Sequence, residues 1–167
     1  MYNELTEIDI KKMKDELKHR STELRNQLAD DVKEARSLGD LSENAEYRSA
    51  KRAFCRNESR IRYLEKMIRT ATVISTESNP DEVGLFDRIT VCYDDEEETE
   101  ELTLSTMTRL DLGKGIICKD SAFGKAILGK KVGDRILVQV SEDYSYYVTI
   151  KAIVKGEDDD SIPLTEY

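Results

Sequence analysis

The sequence contains no tryptophan, one histidine and three cysteines among 167 residues, and these scarcities exclude several kinds of site. Cys55, Cys92 and Cys118 lie far apart, with no Cys-x-x-Cys pair and no histidine pattern near them. We therefore expect reduced thiols, with neither a disulfide nor a thiolate metal site. His19 lies in the middle of a charged segment without a partner pattern, so we expect it at the surface.

Long apolar runs are also missing. No stretch approaches the roughly 18 apolar residues that a membrane-spanning helix needs, and the chain does not start with a basic-plus-apolar signal sequence. We therefore expect a cytoplasmic protein with no membrane partner.

Positive charge is scarce in the second half of the chain. Residues 1–72 carry 16 Lys or Arg and 14 Asp or Glu, whereas residues 73–167 carry 10 and 21. This break predicts a domain boundary, and residues 75–80 (STESNP) have the composition of a linker. The net charge of −9 opposes general nucleic-acid binding, so any such contact must be local or guided by a protein partner.

Two long segments carry apolar residues at steps of three, four or seven, the spacing of one helix face. In residues 7–37 this seam consists of Ile10, Met13, Leu17, Leu24, Leu28, Val32 and Ala35. It is interrupted at Arg20 and Ser21. The second seam consists of Ala50, Phe54, Asn57, Ile61, Leu64 and Ile68. The pattern predicts a helical hairpin in which the polar Asn57 fixes the register.

The stretch between the segments, Leu38 to Lys51 (LGDLSENAEYRSAK), should form the tip of the hairpin. Gly39 can end the first helix in the left-handed conformation. Asp40 can cap the second helix, and Glu43 can complete a capping box. Physical chemistry alone thus gives both acids a capping role.

One face of the second helix is rich in cations. Its members are Arg48, Lys51, Arg52, Arg56, Arg60 and Arg62. Two explanations are open: a solvated face balanced by acids of the first helix, or a strip that contacts RNA or the acidic wall of a partner.

After the linker the pattern alternates and β-branched residues increase. This predicts strands at residues 86–93, 101–106, 116–118, 135–140 and 144–154. Ser121 to Leu128 should form a short helix capped by Ser121. The simplest assembly is an antiparallel sheet with one helix packed on it, which makes the protein α+β. Residues 94–101 should be a solvated acidic loop.

Two strings in the sequence resemble one known family. LGDLSENAEYRSAKR resembles the loop signature of the bacterial Gre transcript cleavage factors (GreA and GreB), in which a Gly-Asp-Leu-x-Glu-Asn-Ala-Glu-Tyr run forms the tip of an antiparallel coiled coil. Residues 121–134 (SAFGKAILGKKVGD) are similar to a segment of that family's C-terminal FKBP-like domain. The resemblance implies a coiled-coil hairpin at residues 1–74, a linker at 75–80, an FKBP-like domain at 81–155 and an acidic tail at 156–167.

The resemblance also implies a function. The hairpin of a Gre factor enters the secondary channel of RNA polymerase and stimulates cleavage of the RNA 3′ end in backtracked or arrested complexes. Asp40 and Glu43 would be the catalytic residues, helping to hold a Mg²⁺ that is shared with the polymerase and bound only in the complex. Such a factor is accessory and not a complete enzyme. We expect a monomer whose partners are the polymerase and the nascent RNA 3′ end.

Other residues gain expected roles in the same way. The supporting tip residues would be Gly39, Leu41, Ser42, Asn44, Glu46 and Tyr47. The face that contacts RNA or polymerase would comprise Arg48, Lys51, Arg52 and Arg56. Ser42 could orient the attacking water or merely start a helix, and Glu46 could carry only first-turn charge. Tyr47 could pack against the tip or contact the polymerase.

The chain departs from the family pattern at three places. Ala122 follows Ser121, where the family usually has proline. The segment 107–119 is shorter and less acidic than the corresponding segment of the family. Residues 156–167 extend past the point where family members normally end. These departures bear on the partner contacts of the second domain.

Three alternatives compete with the cleavage interpretation. An inhibitory relative would occupy the channel without stimulating cleavage, but the intact Asp40 and Glu43 pair argues against it. A prolyl isomerase needs an aromatic pocket, and the second domain has no tryptophan and only Phe86 and Phe123 as phenylalanines. A purely structural coiled-coil adaptor would tolerate replacement of the two acids by amides.

Overall fold

The computed structural model describes residues 3–37, 44–94, 98–159 and 161–165. Their contacts form two compact units. The described residues up to Asp9 join those from Thr72 onward, and those from Ile10 to Ala71 form the other unit. The division by sequence pattern places residues 1–74 together, whereas the structure groups the first residues with the β-rich unit.

The hairpin is built from two helical stretches. The first comprises α1 (Glu7–His19), a π-helical turn (Arg20–Leu24) and α2 (Arg25–Ser37), and the second is α3 (Ala45–Thr70). The buried residues of α3 are Asn57, Ile61, Leu64 and Met67. Met13 and Ala35 are buried on the first stretch. The predicted seam is thus confirmed at its centre, and Met67 is an additional member.

The β-rich unit contains two sheets and a short helix. The strands of the smaller sheet are β1 (Glu4–Leu5) and β2 (Thr72–Val73), which are parallel. The larger sheet contains β3 (Arg88–Tyr93), β4 (Thr99–Ser105), β5 (Ile116–Cys118), β6 (Arg135–Gln139) and β7 (Ser145–Val154). Their order is β5-β4-β3-β7-β6. Helix α4 (Ala122–Ile127) follows β5 in the chain.

The predicted α+β class is confirmed, and the five predicted strands and the short helix are present with ends shifted by no more than two residues. The prediction of a fully antiparallel sheet is wrong at one strand pair, because β5 runs parallel to β4. Two 3₁₀ turns, Met107–Arg109 and Leu112–Lys114, separate these strands and carry the chain back before it pairs again.

Alternating side chains of the large sheet form the core of the β-rich unit. Its buried members are Val83, Leu85, Phe86, Ile89, Val91, Leu102, Leu104, Ile127, Ile136, Val138, Val148 and Ile150. Ile127 comes from α4, so the apolar side of this short helix packs on the sheet. Ser121 caps α4 by accepting a hydrogen bond from the backbone N–H of Gly124 at 2.9 Å, as its position predicts.

A buried ion pair lies in the same unit. Arg109 Nε is 2.5 Å from Asp9 Oδ1, and both side chains have no exposed surface. Thr6 and Asp9 each accept a hydrogen bond from the other's backbone N–H at 3.1 Å, which is a capping box at the start of α1. Asp158 Oδ1 approaches Arg109 Nη1 at 2.7 Å, so part of the predicted acidic tail is attached to this unit.

We expect Arg109→Met to lower the free energy of unfolding by about 3–5 kcal/mol, because it leaves the Asp9 carboxylate buried without its guanidinium partner. Urea unfolding measures this change. As a control, Lys114→Met removes an exposed ion pair with Asp111, whose N–O distance is 3.2 Å, and should cost less than about 1 kcal/mol. Similar small losses in both variants would contradict the expectation.

Candidate functional site

The site predicted from the sequence is the turn between α2 and α3. Six of its residues lie outside the described residues: Leu38, Gly39, Asp40, Leu41, Ser42 and Glu43. Their roles therefore stay predictions. The structure does show both sides of the turn, from Ser37 at the end of α2 to Asn44 at the start of α3.

Asn44 connects the two helices next to this turn. Its Oδ1 accepts a hydrogen bond from the backbone N–H of Tyr47 at 3.0 Å, which caps the start of α3. Its Nδ2 donates to the carbonyl of Ala35 at 3.1 Å. The last carbonyls of a helix have no partner within that helix, so one amide group satisfies groups at the end of α2 and at the start of α3.

This geometry corrects the capping assignment. The N-cap of α3 is Asn44, and the third helical position is Tyr47, so neither Asp40 nor Glu43 occupies a position of the capping box. The prediction that Asp40 caps the second helix is therefore wrong. Both residues are strong cap formers by type, and the spacing alone did not rank Asn44 above Asp40.

The next two predicted tip residues lie in the first turn of α3. Glu46 is exposed there, where a carboxylate interacts favourably with the helix N-terminus. Tyr47 is half-buried, and Lys51 Nζ lies 5.9 Å from the centre of its ring. Tyr47 therefore already has a neighbour on its own helix.

The predicted basic face is present on the exposed side of α3. Arg48, Lys51, Arg52 and Arg56 are all exposed, and their spacing of three and four residues places them on one side of the helix. A shallow groove of about 530 Å³ follows this side and is lined in part by Arg52 and Arg56. The structure thus brings these four cations together.

Arg60 does not belong to this exposed basic face. Its Nε and Nη2 each donate to a carboxylate oxygen of Glu16 at 2.9 Å, and only 10% of its side chain is exposed. Glu16 also accepts a hydrogen bond from Arg20 Nε at 2.6 Å. Of the two explanations for the cations of α3, Arg60 therefore follows the first: an acid of the first helix balances its charge.

The environment of Glu16 changes its acidity. Burial by itself raises the pKa of this carboxyl, but the hydrogen bonds from Arg60 and Arg20 outweigh burial and hold the pKa below its ordinary value. Glu16 is therefore a charged link between the helices at neutral pH. The sequence pattern did not show this link, because Glu16 and Arg60 are 44 positions apart.

The three cysteines are not joined to one another. All three are free thiols, and Cys118 is buried. Burial raises the pKa of the Cys118 thiol, which disfavours the reactive thiolate.

Two features are absent from the described part of the chain. No cluster of three or more His, Cys, Asp or Glu side chains there could hold a metal ion. No helix there has both the length and the apolar character that are needed to cross a membrane.

Asn44 allows the cap to be separated from the cross-helix hydrogen bond. Asn44→Asp keeps an acceptor for the Tyr47 N–H but removes the donor to Ala35, whereas Asn44→Ala removes both. We expect Asn44→Ala to lower the free energy of unfolding by about 1–2 kcal/mol, and Asn44→Asp to lower it less. Urea unfolding followed by helical circular dichroism tests this. An equal loss in both variants would mean that the cap contributes nothing.

The lowered pKa of Glu16 predicts that the hairpin loses stability in acid. A carboxyl whose folded pKa is depressed stabilises the fold above its ordinary value of 4.5, and this contribution is lost as the pH falls through the folded pKa. We expect Glu16→Gln to lower the melting temperature near neutral pH and to weaken its dependence on pH below the ordinary value. Glu23→Gln, which changes an exposed acid of the same stretch, is the control and should leave the profile close to wild type.

The chain was compared with known proteins. The family model described as "Transcription elongation factor, N-terminal" matches residues 3–73. The model described as "Transcription elongation factor, GreA/GreB, C-term" matches residues 77–155. Together they account for the hairpin and for the β-rich unit up to the acidic tail.

Individual relatives agree with these matches. Transcription elongation factor GreA of Bacillus licheniformis is 40% identical over 136 residues, which are 81% of this chain and 86% of that protein. GreA of Chloroherpeton thalassium is 36% identical over 152 residues, 90% of this chain and 96% of that protein. A crystal structure of GreA factor homolog 1 (Gfh1) of Thermus thermophilus aligns with 91% of this chain and 98% of its own, at 22% identity and a TM-score of 0.40. On the two family models and the curated relatives, the chain belongs to the GreA/GreB family of transcription elongation factors.

Proposed function

We propose that this protein is a transcript cleavage factor of bacterial RNA polymerase. Its hairpin tip enters the secondary channel and stimulates cleavage of the RNA 3′ segment in backtracked or arrested complexes. The observation that carries this proposal is the intact Asp40 and Glu43 pair in the turn of a hairpin that belongs to this family. The N-cap of α3 is Asn44, so the metal role does not compete with a capping role for Asp40.

The two acids fit a role as Mg²⁺ ligands. Mg²⁺ prefers hard carboxylate oxygens and usually takes only one or two of them from one protein. Asp40 and Glu43 can therefore complete a site whose other ligands belong to the polymerase, but they cannot build a full one. When bound, Mg²⁺ activates water and stabilises the leaving oxygen in phosphodiester hydrolysis.

The other residues of this chain position the tip. Asn44 holds the chain that follows Glu43 against the end of α2 through its hydrogen bond to Ala35. Helix α3 has 26 residues and is therefore about 39 Å long at 1.5 Å per residue. The hairpin that carries the turn is therefore long and thin enough to enter a channel.

The basic face would stabilise the inserted state. Arg48, Lys51, Arg52 and Arg56 follow the tip along the exposed side of α3. Cations at these positions behind the tip can contact RNA phosphates or acidic side chains of the polymerase. Such contacts do not depend on the RNA sequence. In this account the protein is an accessory monomer, and the chemistry takes place in the active centre of the polymerase.

The test compares wild type with the Asp40→Asn, Glu43→Gln double variant in a stalled, backtracked elongation complex. We expect wild type to shorten the RNA and the double variant to be slower on the order of 100-fold or more, because it lacks the carboxylates that act in the transition state. A competition assay should show that both bind polymerase similarly.

The matched control is Asp30→Asn, Asp31→Asn, which removes the same charge from exposed positions of α2 and should cleave like wild type. If neither wild type nor the double variant shortens the RNA, yet both slow nucleotide addition, the protein is an inhibitor that occupies the channel.

A further inference from the structure

Between Leu17 and Val32, the first helical stretch is one residue longer than a regular heptad seam. From Leu17 to Val32 the seam advances 15 residues, whereas two heptads advance only about 14. Leu17, Leu24, Leu28 and Val32 are nevertheless all half-buried. In an uninterrupted α-helix, the extra residue would rotate everything that follows by about 100°.

The π-helical turn Arg20–Leu24 accommodates this residue. A π turn holds one residue more than an α turn, so the seam faces the same way after the turn as before it. Within this stretch the Thr22 hydroxyl donates to the carbonyl of Lys18 at 2.7 Å. As a result α2 keeps Ala35 buried, next to the cross-helix bond of Asn44.

Asn57 of α3 contacts this turn with both ends of its amide. Its Nδ2 donates to the backbone carbonyl of Arg20 at 3.0 Å, and its Oδ1 accepts from Arg20 Nη1 at 3.3 Å. Asn57 is 2% exposed, so water cannot easily replace a lost partner. Glu16 holds the same guanidinium through Arg20 Nε.

We propose that Asn57 is a positioning residue for the tip. By holding the π turn at Arg20, it sets the register and rotation of α2, and therefore the place from which the chain leaves toward Asp40 and Glu43. The inference rests on the proposed function, in which these two acids must reach one place in the polymerase.

The displacement that a register error causes shows why a residue that fixes the register matters. A slip of one residue moves the end of α2 by about 1.5 Å along its axis and about 100° around it. Catalytic groups tolerate misplacement of only about 0.5 Å. Leucine side chains alone pack non-directionally, and a single polar residue in a seam is the usual means of selecting one register, at a cost in stability.

Asn57→Leu separates positioning from mere stabilisation. A leucine in the seam gains apolar burial, which offsets the partner that the Arg20 carbonyl loses, so the melting temperature should stay close to that of wild type. Cleavage of backtracked RNA should nevertheless fall between about 10- and 100-fold, the effect of a misplacement of about 1 Å, while competition for polymerase stays near wild type. A variant that is as stable as wild type but less active cannot be explained by unfolding.

Deletion of Gln27 provides a rescue. Gln27 is exposed on α2, and its removal reduces the advance from Leu17 to Val32 to two heptads, so the seam no longer needs a π turn. In the Asn57→Leu background this deletion should restore most of the cleavage activity. Failure of the rescue would overturn the proposal, because the lost activity would then not arise from the register.

A distance measurement tests the same point in the free protein. Spin labels are placed on Cys55 and on Ser37→Cys, with Cys92→Ser and Cys118→Ala to remove the other thiols. Pulsed electron paramagnetic resonance should give one narrow distance for wild type, a shifted or broadened one for Asn57→Leu, and a narrow one again after deletion of Gln27.

The outcomes distinguish the two proposals. An unchanged distance in Asn57→Leu overturns the positioning role, whether cleavage is lost or retained. If wild type itself does not cleave, the proposed function fails, and the distances alone decide whether Asn57 sets the hairpin.

Discussion

The hydrogen bonds between the Asn57 amide and Arg20 hold the hairpin at the point where apolar packing is least decisive. Two helices in a thin rod bury a single stripe, and the hydrophobic effect along that stripe has no preferred direction. Directional polar contacts must therefore select one register. In the described residues they occur at four levels of this rod: the Glu16–Arg60 pair, the Asn57–Arg20 pair, the Arg25–Glu58 pair, and Asn44 with Ala35 beside the turn.

In the β-rich unit, polar contacts also fix a segment of the chain, namely the residues that precede α1. This segment pairs with β2 through the short strand β1, and polar contacts add to this attachment. The Asp9–Arg109 pair and the capping box of Thr6 connect this segment to the 3₁₀ turn that holds Arg109. The acidic segment that extends beyond the family match contributes Asp158 to the same guanidinium. A segment without a role in the sequence pattern thus contributes to a buried network.

Most of the architecture could be predicted from the sequence, since periodicity reports directly which face of an element is buried. The seam of α3 and the strands of the large sheet are examples. The parallel β4–β5 pair could not be predicted, because alternation does not encode strand direction. The sequence leaves open whether Arg60 is solvated or pairs with an acid, because its own helix alone cannot show that Glu16 of the other helix faces it.

The π turn is an intermediate case. The gap at Arg20 and Ser21 and the polar Asn57 are both visible as interruptions of the two seams. Only the structure shows that they meet and compensate each other. The π turn of the first helical stretch is thus paired with the polar Asn57 of α3. Neither segment reveals this pairing by itself.

The reassigned cap bears most directly on the tip. Two roles compete for Asp40 and Glu43, namely starting a helix and holding a metal ion. Like charges close together repel, and a hairpin turn that needed only a cap could use the uncharged Asn44. Asn44 satisfies both the start of α3 and the end of α2, so the capping role belongs to this residue. With the cap of α3 assigned to Asn44, the Mg²⁺ role that we propose for Asp40 and Glu43 does not compete with a capping role for Asp40.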